Sequence, residues 1–285
     1  MRPKRIIYEP TWALRAAARE SMKGRGGLLF VSSFLYLLCL FAPIIIIEQT
    51  TGFWDVTERM MNDYYTAMMS SMPYEAMEHL ATAYAGEFKL NIGTILFLLL
   101  IPGPLTLGIS RVWLRVLRGA EASADMVFTG FNNFARIVSM DTLRRIMIVL
   151  LSFLFIIPGA IMYYRYGLTF LLMLDDPGMG PFEALSTSRY YMKQNKGNRF
   201  LLDLSFFGWF AISYIAHIII GNIISFLLVY GDIQISLFWS MLISAVLFAV
   251  IFAPILAYRG VTAVEYYHRV ICRDPREQRP KLTYF

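Results

Sequence analysis

The sequence predicts an all-α fold, a polytopic bundle of membrane helices that forms a single membrane domain over residues 1–285. Its composition is 57% hydrophobic and only 16% charged, with a mean hydropathy of +0.53, whereas soluble domains carry about 25% charged residues. Its apolar residues are also concentrated in five runs, each long enough for a membrane span. The runs cover residues 28–47, 91–110, 146–174, 200–228 and 237–258.

Other protein classes are poorly supported by the composition. Cys39 lies in an apolar run and Cys272 in a basic tail, so no disulfide framework is expected. His79, His217 and His268 are scattered without zinc-ligand spacing, and neither a P-loop nor a serine elbow is present. We therefore predict no catalytic residue, no metal site, no cofactor and no nucleic-acid partner, and we attribute the net charge of +6 to one membrane face.

The distribution of charge orients the chain, because cytoplasmic segments of membrane proteins are enriched in Lys and Arg. Residues 1–27 carry a net charge of +5 and residues 259–285 carry +3, whereas residues 48–89 carry −5. We therefore predict a multi-pass protein of a bacterial plasma (cytoplasmic) membrane with both termini in the cytoplasm. Its N-terminus is a basic amphipathic segment and its tail is basic, while residues 48–90 form an acidic, helical, extracytoplasmic loop.

Both termini on one side require an even number of crossings, although there are five apolar runs. As one helix, the 29 residues of run 146–174 would measure about 43 Å, longer than a hydrocarbon core of about 30 Å. A split at Ile157/Pro158 gives a hairpin of the third and fourth segments and a total of six. Pro158 then begins a helix, where its missing N–H costs nothing. The alternative is one tilted, proline-kinked helix, which would place Lys193 outside.

Two short amphipathic surface helices are expected, over residues 11–23 and 181–193. In the first, Arg15, Arg19 and Lys23 recur at i, i+4 spacing on one stripe. A basic stripe opposite an apolar face is typical of an interfacial helix, so we predict that these three side chains bind anionic lipid headgroups.

The same two segments share a pattern that suggests an internal repeat. Five positions match at a constant offset of 170: Arg19, Met22, Lys23, Gly27 and Phe30 correspond to Arg189, Met192, Lys193, Gly197 and Phe200. One interpretation is a degenerate repeat of helical hairpins in parallel orientation. The other is chance matching between two segments that both lie at a membrane surface.

The outer loop is rich in methionine. Its methionines are Met60, Met61, Met68, Met69, Met72 and Met77, and His79 follows them. Thioethers suit Cu(I), but flexible methionines also fill gaps in a packed apolar face. We favour packing, and the role of the loop stays open.

A family resemblance is carried by the second half of the chain. Its motifs are Ile157-Pro158-Gly159, Tyr163-Tyr164-Arg165-Tyr166, Asp175-Asp176-Pro177, Ala184 to Ser188, Met192-Lys193 with Gly197, Leu204-Ser205-Phe206-Phe207-Gly208-Trp209, and Pro254 with Tyr266-Tyr267. In these residues the chain resembles the uncharacterised bacterial polytopic membrane proteins known as domain of unknown function 975. It departs from them by inserting Gln194-Asn195-Lys196. The resemblance implies six membrane segments and no particular reaction.

Arg165 is the first candidate binding residue. An arginine inside an apolar run is costly and usually faces a partner or a water-filled cavity. It could form an anion or lipid-phosphate site with Tyr163 and Tyr166. Alternatively it is a structural arginine, salt-bridged to Asp203.

Asp203 and His217 are two further candidates on the run 200–228, which we interpret as a single tilted span. Asp203 could relay a proton or cation, or it could be a helix-start carboxylate favoured by the helix dipole and by Arg199. His217 could belong to a proton path or could hydrogen-bond a neighbouring helix.

Three functional classes remain open. The first is a non-enzymatic transport, lipid-handling or accessory membrane protein with a polar pocket near Arg165 and Asp203. The second is a scaffold, sensor or immunity-type protein that binds another membrane protein or a second copy of itself. The third, and weakest, is a lipid-modifying enzyme that uses Asp175, Asp176 and Asp203.

Overall fold

The computed structural model describes residues 6–69, 79–80, 82–84, 86–87, 91–231 and 233–271, and its regular structure there is helical. A 3-10 segment, Ala124–Asn133, lies between the helices Pro102–Leu117 and Phe134–Leu154. The α-helices are α1 Thr11–Met22, α2 Gly26–Gln49, α3 Phe53–Met68, α4 Ile92–Leu100, α5 Pro102–Leu117, α6 Phe134–Leu154, α7 Ile156–Arg165, α8 Thr169–Asp175, α9 Pro181–Met192, α10 Lys196–Leu204, α11 Phe207–Tyr230 and α12 Leu237–Val270.

Five helical stretches are long and apolar enough to cross a membrane, in agreement with the predicted class. They are Gly26–Gln49, Ile92–Leu117, Ile156–Asp175, Lys196–Leu228 and Leu237–Val270. The fourth was expected to be a single tilted span; it is one candidate span, but a turn at Ser205 and Phe206 separates α10 from α11. At that turn Phe206 is fully buried, so the break turns a large aromatic side chain inward.

The apolar run 146–174 is interrupted at Phe155, whose backbone is extended between α6 and α7 (φ −159°, ψ 148°). A Cβ added at Gly159 would lie 1.9 Å from Ser152 Oγ. In a continuous helix these two residues would be about 10 Å apart along the axis. The second helix begins at Ile156, two residues earlier than predicted, but Pro158 still falls within the first turn, where N–H groups lack intrahelical partners.

Contacts between helix termini define two opposite ends of the helical bundle. At one end, Arg25 before α2 donates to the carbonyl of Ala120 after α5 at 2.8 Å. There, too, Arg118 after α5 contacts Asp175 at the end of α8 at 2.5 Å. Near the start of α6, Arg136 donates to the carbonyl of Pro177, which follows α8. The starts of α2 and α6 and the ends of α5 and α8 therefore lie together.

The opposite end holds α3 and the outer turns. Asn91, just before α4, donates to the carbonyl of Ile47 near the end of α2 at 2.8 Å. On α3, Glu58 accepts a hydrogen bond from the backbone of Leu237, the first residue of α12, at 3.0 Å. The acidic helix therefore caps the start of the last helix. Met72 and Met77 lie outside the described residues, and Met68 is half exposed.

The large core lies at the first of these ends, among α1, α5, α8, α9, α10 and α12. Its buried residues include Leu14, Leu114, Leu171, Met192, Leu202, Val264 and Tyr266. Most of the last four turns of α12 are buried in it, including Tyr267 and His268.

Close approaches at glycine place α5 against three neighbours. A Cβ added at Gly108 would lie 1.8 Å from the carbonyl oxygen of Val127 in the 3-10 segment. One added at Gly260 of α12 would lie 2.3 Å from the indole of Trp113 on α5. Asp141 of α6 lies within 3 Å of the Cβ position of Gly103. Helix α5 therefore packs closely against the 3-10 segment, α6 and α12.

Helices α1 and α9 have matching bounds. Both contain 12 residues, Thr11–Met22 and Pro181–Met192, and the next helices begin at Gly26 and Lys196. The first and last residues of α1 and α9 therefore differ by 170, the same offset that relates the five matched sequence positions. The elements then differ, because α2 continues for 24 residues whereas α10 ends after nine.

Candidate functional site

Three aspartates with almost buried side chains are each held by arginine. Asp141, Asp175 and Asp203 have side-chain exposures of 1%, 5% and 12%. A buried carboxylate is costly unless it is paired and hydrogen-bonded. Two of the three pairings are made with helices distant in sequence, so they show which polar groups the fold brings together.

Asp203 is the centre of the most open group. Its Oδ1 accepts from Arg259 Nε of α12 at 3.0 Å and contacts Arg199 Nη2, one turn earlier on α10, at 3.5 Å. On its other side, Arg259 Nη2 donates to the hydroxyl of Tyr163 on α7 at 3.5 Å. Arg259 remains 27% exposed. Asp203 Oδ2 is buried with no hydrogen-bond partner among the described residues.

Two more arginines reach the same part of the molecule from α1. Arg15 donates to the hydroxyl of Tyr258 at 3.3 Å and to the carbonyl of Ser205 at 3.4 Å, and its guanidinium lies 5.1 Å from the ring centre of Phe206. Arg19, which is exposed, donates to the same tyrosine hydroxyl at 3.2 Å.

These two groups are neighbours, because Tyr258 precedes Arg259 directly and Ser205 follows Asp203 by two residues. We call them together the arginine cluster: Arg15, Arg19, Arg199 and Arg259, with Asp203, Tyr163 and Tyr258. Four guanidinium groups and one carboxylate leave an excess of three positive charges.

A second group forms around Asp141 on α6. Its two carboxylate oxygens accept from Arg144 and Arg145 on the next turn at 2.7 Å. Arg145 also donates to the carbonyl of Leu98 at 2.8 Å. That carbonyl lies four residues before Pro102, which has no N–H to offer it. The arginine thus supplies the donor that the proline removes.

A third group links the ends of three helices. Asp175 Oδ1 contacts Arg118 at 2.5 Å, and Oδ2 accepts from the Tyr267 hydroxyl of α12 at 2.7 Å. Its neighbour Asp176 is exposed and accepts from the backbone of Gly178 at 3.0 Å. Asp175 therefore belongs to a buried ion pair, whereas Asp176 belongs to an exposed turn.

Of the five candidate binding residues, the structure brings only Asp203 and Tyr163 together. The alternative in which Arg165 pairs with Asp203 is not found among the described residues, where Asp203 pairs with Arg199 and Arg259 instead. Arg165 instead donates to the sulfur of Met162 on its own helix at 3.6 Å. Tyr166 is buried at the end of α7.

His217 lies away from this group, on α11. Its Nε2 is 3.4 Å from Ser244 Oγ of α12, and its ring meets that of Phe248 edge to face. This is an interhelical contact between two candidate spans.

The predicted headgroup stripe on α1 is divided as well. Arg15 points into the arginine cluster, and Lys23 pairs with Glu20 at 2.5 Å on the exposed surface. Arg19 is both exposed and in contact with the cluster.

Asn195, in the segment expected to depart from the family pattern, contacts the N-terminal segment. Asn195, fully buried, accepts from the backbone N–H of Ile7 at 3.1 Å. Its own carbonyl accepts from the hydroxyl of Tyr266 at 2.6 Å. Asn195 therefore links the residues before α1 to the end of α12.

No group of three or more His, Cys, Asp or Glu side chains that could hold a metal ion occurs in the part of the chain that the structure describes.

A family model described as "Protein of unknown function (DUF975)" matches residues 12–274. The chain belongs to this family, as the motifs from Ile157 onward had indicated. Neither the curated proteins nor the solved structures gave a match.

Proposed function

From membership in a family of unknown function, we propose that this chain is a multi-pass protein of the cytoplasmic membrane with six membrane segments and both termini inside. Support comes from the two ends of the fold. Arg136, before the apolar part of α6, meets Pro177, which follows α8. The chain between them therefore leaves one end of the bundle and returns to it. In this proposal α6 is the sixth membrane segment, in addition to the five candidate spans.

The turn between α6 and α7 is the tip of this hairpin. Phe153 and Ile156 are each 84% exposed there, as expected for apolar side chains that contact lipid. The packing of Gly159 against Ser152 lets the two helices approach closely. A reporter enzyme fused just after Gly159 should report an outside location, and a cytoplasmic signal would contradict the hairpin.

We propose further that the protein acts by binding rather than by covalent chemistry, as a lipid-handling or accessory membrane protein. The observation that carries this proposal is the arginine cluster, with its excess of three positive charges at the end assigned to the cytoplasm. Asp141, Asp175 and Asp203 are each paired with arginine, and a buried ion pair suits a structural role better than proton transfer. Basic groups at that face attract anionic lipids.

The test is a comparison of lipids as stabilising ligands. A ligand that binds only the folded protein raises the free energy of unfolding. The full chain in a mild detergent should melt at a higher temperature with added phosphatidylglycerol than with the same amount of phosphatidylcholine. Equal melting temperatures with the two lipids would contradict lipid-headgroup binding.

A second candidate function, binding of another membrane-protein helix, is favoured by one observation on α11. Asn222 and Ser225 lie about one turn apart and are exposed toward the end of the candidate span Lys196–Leu228. The Asn222 amide donates only to its own helix, to the carbonyl of Ile218 at 2.8 Å. Polar side chains in spans usually face a partner helix. If a helix docks there, Asn222→Leu should lower the mass of the native assembly in nanodiscs, and an unchanged mass would contradict docking.

A further inference from the structure

The arginine cluster leaves many of its hydrogen-bond donors unused. A guanidinium offers five N–H donors. Arg259 uses two of its nitrogens, one toward Asp203 and one toward Tyr163, and Arg19 uses one, toward Tyr258. Arg19 is exposed and Arg259 partly so. Donors of two arginines are therefore available to a ligand that approaches from outside.

The charge of the cluster is not balanced by protein carboxylates. Among the described residues, Asp203 is the only carboxylate within salt-bridge distance of its four arginines. Glu20, the nearest acidic residue in sequence to Arg19, pairs with Lys23 instead. Among the described residues, Arg15 and Arg19 donate hydrogen bonds to neutral acceptors, the hydroxyl of Tyr258 and the backbone carbonyl of Ser205. An anion placed between Arg19 and Arg259 would reduce the repulsion among these groups.

Helix α10 places the cluster beside an apolar surface. Arg199, Leu202 and Asp203 face the protein and are largely buried, whereas Phe200, Leu201 and Leu204 are each about half exposed. One short helix thus carries charge on its inner face and apolar side chains on its outer face. This arrangement suits the boundary between headgroups and acyl chains.

We propose that the arginine cluster is a binding site for a phosphate group, and that Arg19 and Arg259 are its principal ligands. Arginine matches phosphate with paired N–H donors. Asp203 is a positioning residue, because it holds Arg259 through Nε while Tyr163 holds Nη2, and neither of these contacts uses Nη1. The acyl chains of a phospholipid would lie over Phe200, Leu201 and Leu204. The same phosphate chemistry could also be supplied by free inorganic phosphate. This site rests on the proposed lipid-handling function and gives it a location.

The test uses the full chain in detergent with fluorescently labelled phosphatidylglycerol and phosphatidylcholine as probes. The wild type should bind phosphatidylglycerol more tightly. Arg19→Gln and Arg259→Gln should each weaken that binding about ten-fold, the effect of losing a charge-assisted contact. Phosphatidylcholine binding should change little.

Arg59→Gln is the matched control, because Arg59 lies on α3 at the opposite end and pairs with Glu87. It should leave phosphatidylglycerol binding unchanged. If Arg259→Gln fails to fold because Asp203 loses its partner, the exposed Arg19→Gln still tests the site, as does the charge-neutral pair Arg259→Gln with Asp203→Asn.

Competition with inorganic phosphate distinguishes the two possible ligands, a phospholipid headgroup and the free phosphate anion. Displacement of the labelled lipid by millimolar phosphate supports a site for the free anion, and resistance to it supports a lipid site. If the wild type prefers phosphatidylglycerol but Arg19→Gln and Arg259→Gln keep that preference, the site is wrong while the lipid-handling function stands. If the wild type shows no preference, both proposals fall.

Discussion

The large core and the exposed apolar surface of the molecule are packed in different ways. In the first, the end of α12 is buried on most sides, with Tyr266 and Tyr267 fully covered. In the second, only 6% of the most apolar part of Lys196–Leu228 is buried, although the mean hydropathy of that part is 2.0. High hydropathy therefore does not by itself indicate burial inside this fold. The large core also holds buried polar contacts, such as those of Asp175 with Arg118 and Tyr267.

The largest expected difference between the two regions comes from truncating a phenylalanine in each. Phe206 is fully buried, whereas Phe153 is 84% exposed. Phe206→Ala should lower the free energy of unfolding by about 3 to 5 kcal/mol, because it leaves a cavity. Phe153→Ala should change it by about 0.5 kcal/mol or less. Denaturant titration in one detergent compares them, and equal losses would break the distinction.

Removing the charge of Asp141 should have the next largest effect. Asp141→Asn leaves Arg144 and Arg145 without a carboxylate, and breaking a buried pair costs about 3 to 5 kcal/mol. The control is Asp176→Asn, since an asparagine oxygen can still accept from Gly178 in this exposed turn. Thermal melting should separate the two variants clearly. A stable Asp141→Asn protein would show that the ion pair is dispensable.

Adding a methyl group at two helical glycines sharpens the comparison further. At Gly108 the added Cβ would lie 1.8 Å from the carbonyl oxygen of Val127, whereas at Gly208 nothing lies within 4 Å. Gly108→Ala should cost about 1 to 3 kcal/mol through forced separation of α5 from the 3-10 segment. Gly208→Ala should be neutral or slightly stabilising. Resistance to limited proteolysis measures both, and equal resistance would contradict the close contact.

The smallest expected difference concerns two tyrosine hydroxyls. Tyr267 donates to the buried Asp175, and Tyr84 donates to the exposed Asp63 at 2.6 Å. Tyr267→Phe should cost about 1.5 to 3 kcal/mol, because a buried charged acceptor loses a donor. Tyr84→Phe should cost less than about 0.5 kcal/mol, because water replaces the hydroxyl. Thermal melting of both variants in the same detergent tests whether the core end depends more on its hydrogen bonds.

The helical class and the positions of the spans could be predicted from sequence because they depend on local properties. Run length and hydropathy are read residue by residue, and the break near Pro158 is marked by a Pro-Gly pair. The turn at Ser205 and Phe206 could not be predicted in the same way. It has no proline or glycine, and it forms because Phe206 is buried against Arg15 and Tyr258, which are distant in sequence.

The candidate site shows the same limit. Asp203 and Tyr163 were expected as binding residues, but Arg259 is 56 residues away from Asp203, and no local pattern links them. The partner of Asp141 could have been found, because Arg144 and Arg145 follow it at i+3 and i+4. Arg165 attracted attention because it interrupts an apolar run. The Arg165 side chain contacts Met162 on its own helix. The unusual position of this arginine in an apolar run therefore did not indicate a contact with another helix.

The reversal of the chain between α6 and α7 is the claim on which the topology depends, and one labelling experiment tests it directly. Lys193 is exposed just after α9. A chain that reverses places it on the same side as the N-terminus, whereas a single kinked crossing places it outside. In a background without Cys39 and Cys272, Lys193→Cys should resist a membrane-impermeant maleimide in intact cells and react after permeabilisation. Full labelling in intact cells would contradict the six-segment arrangement.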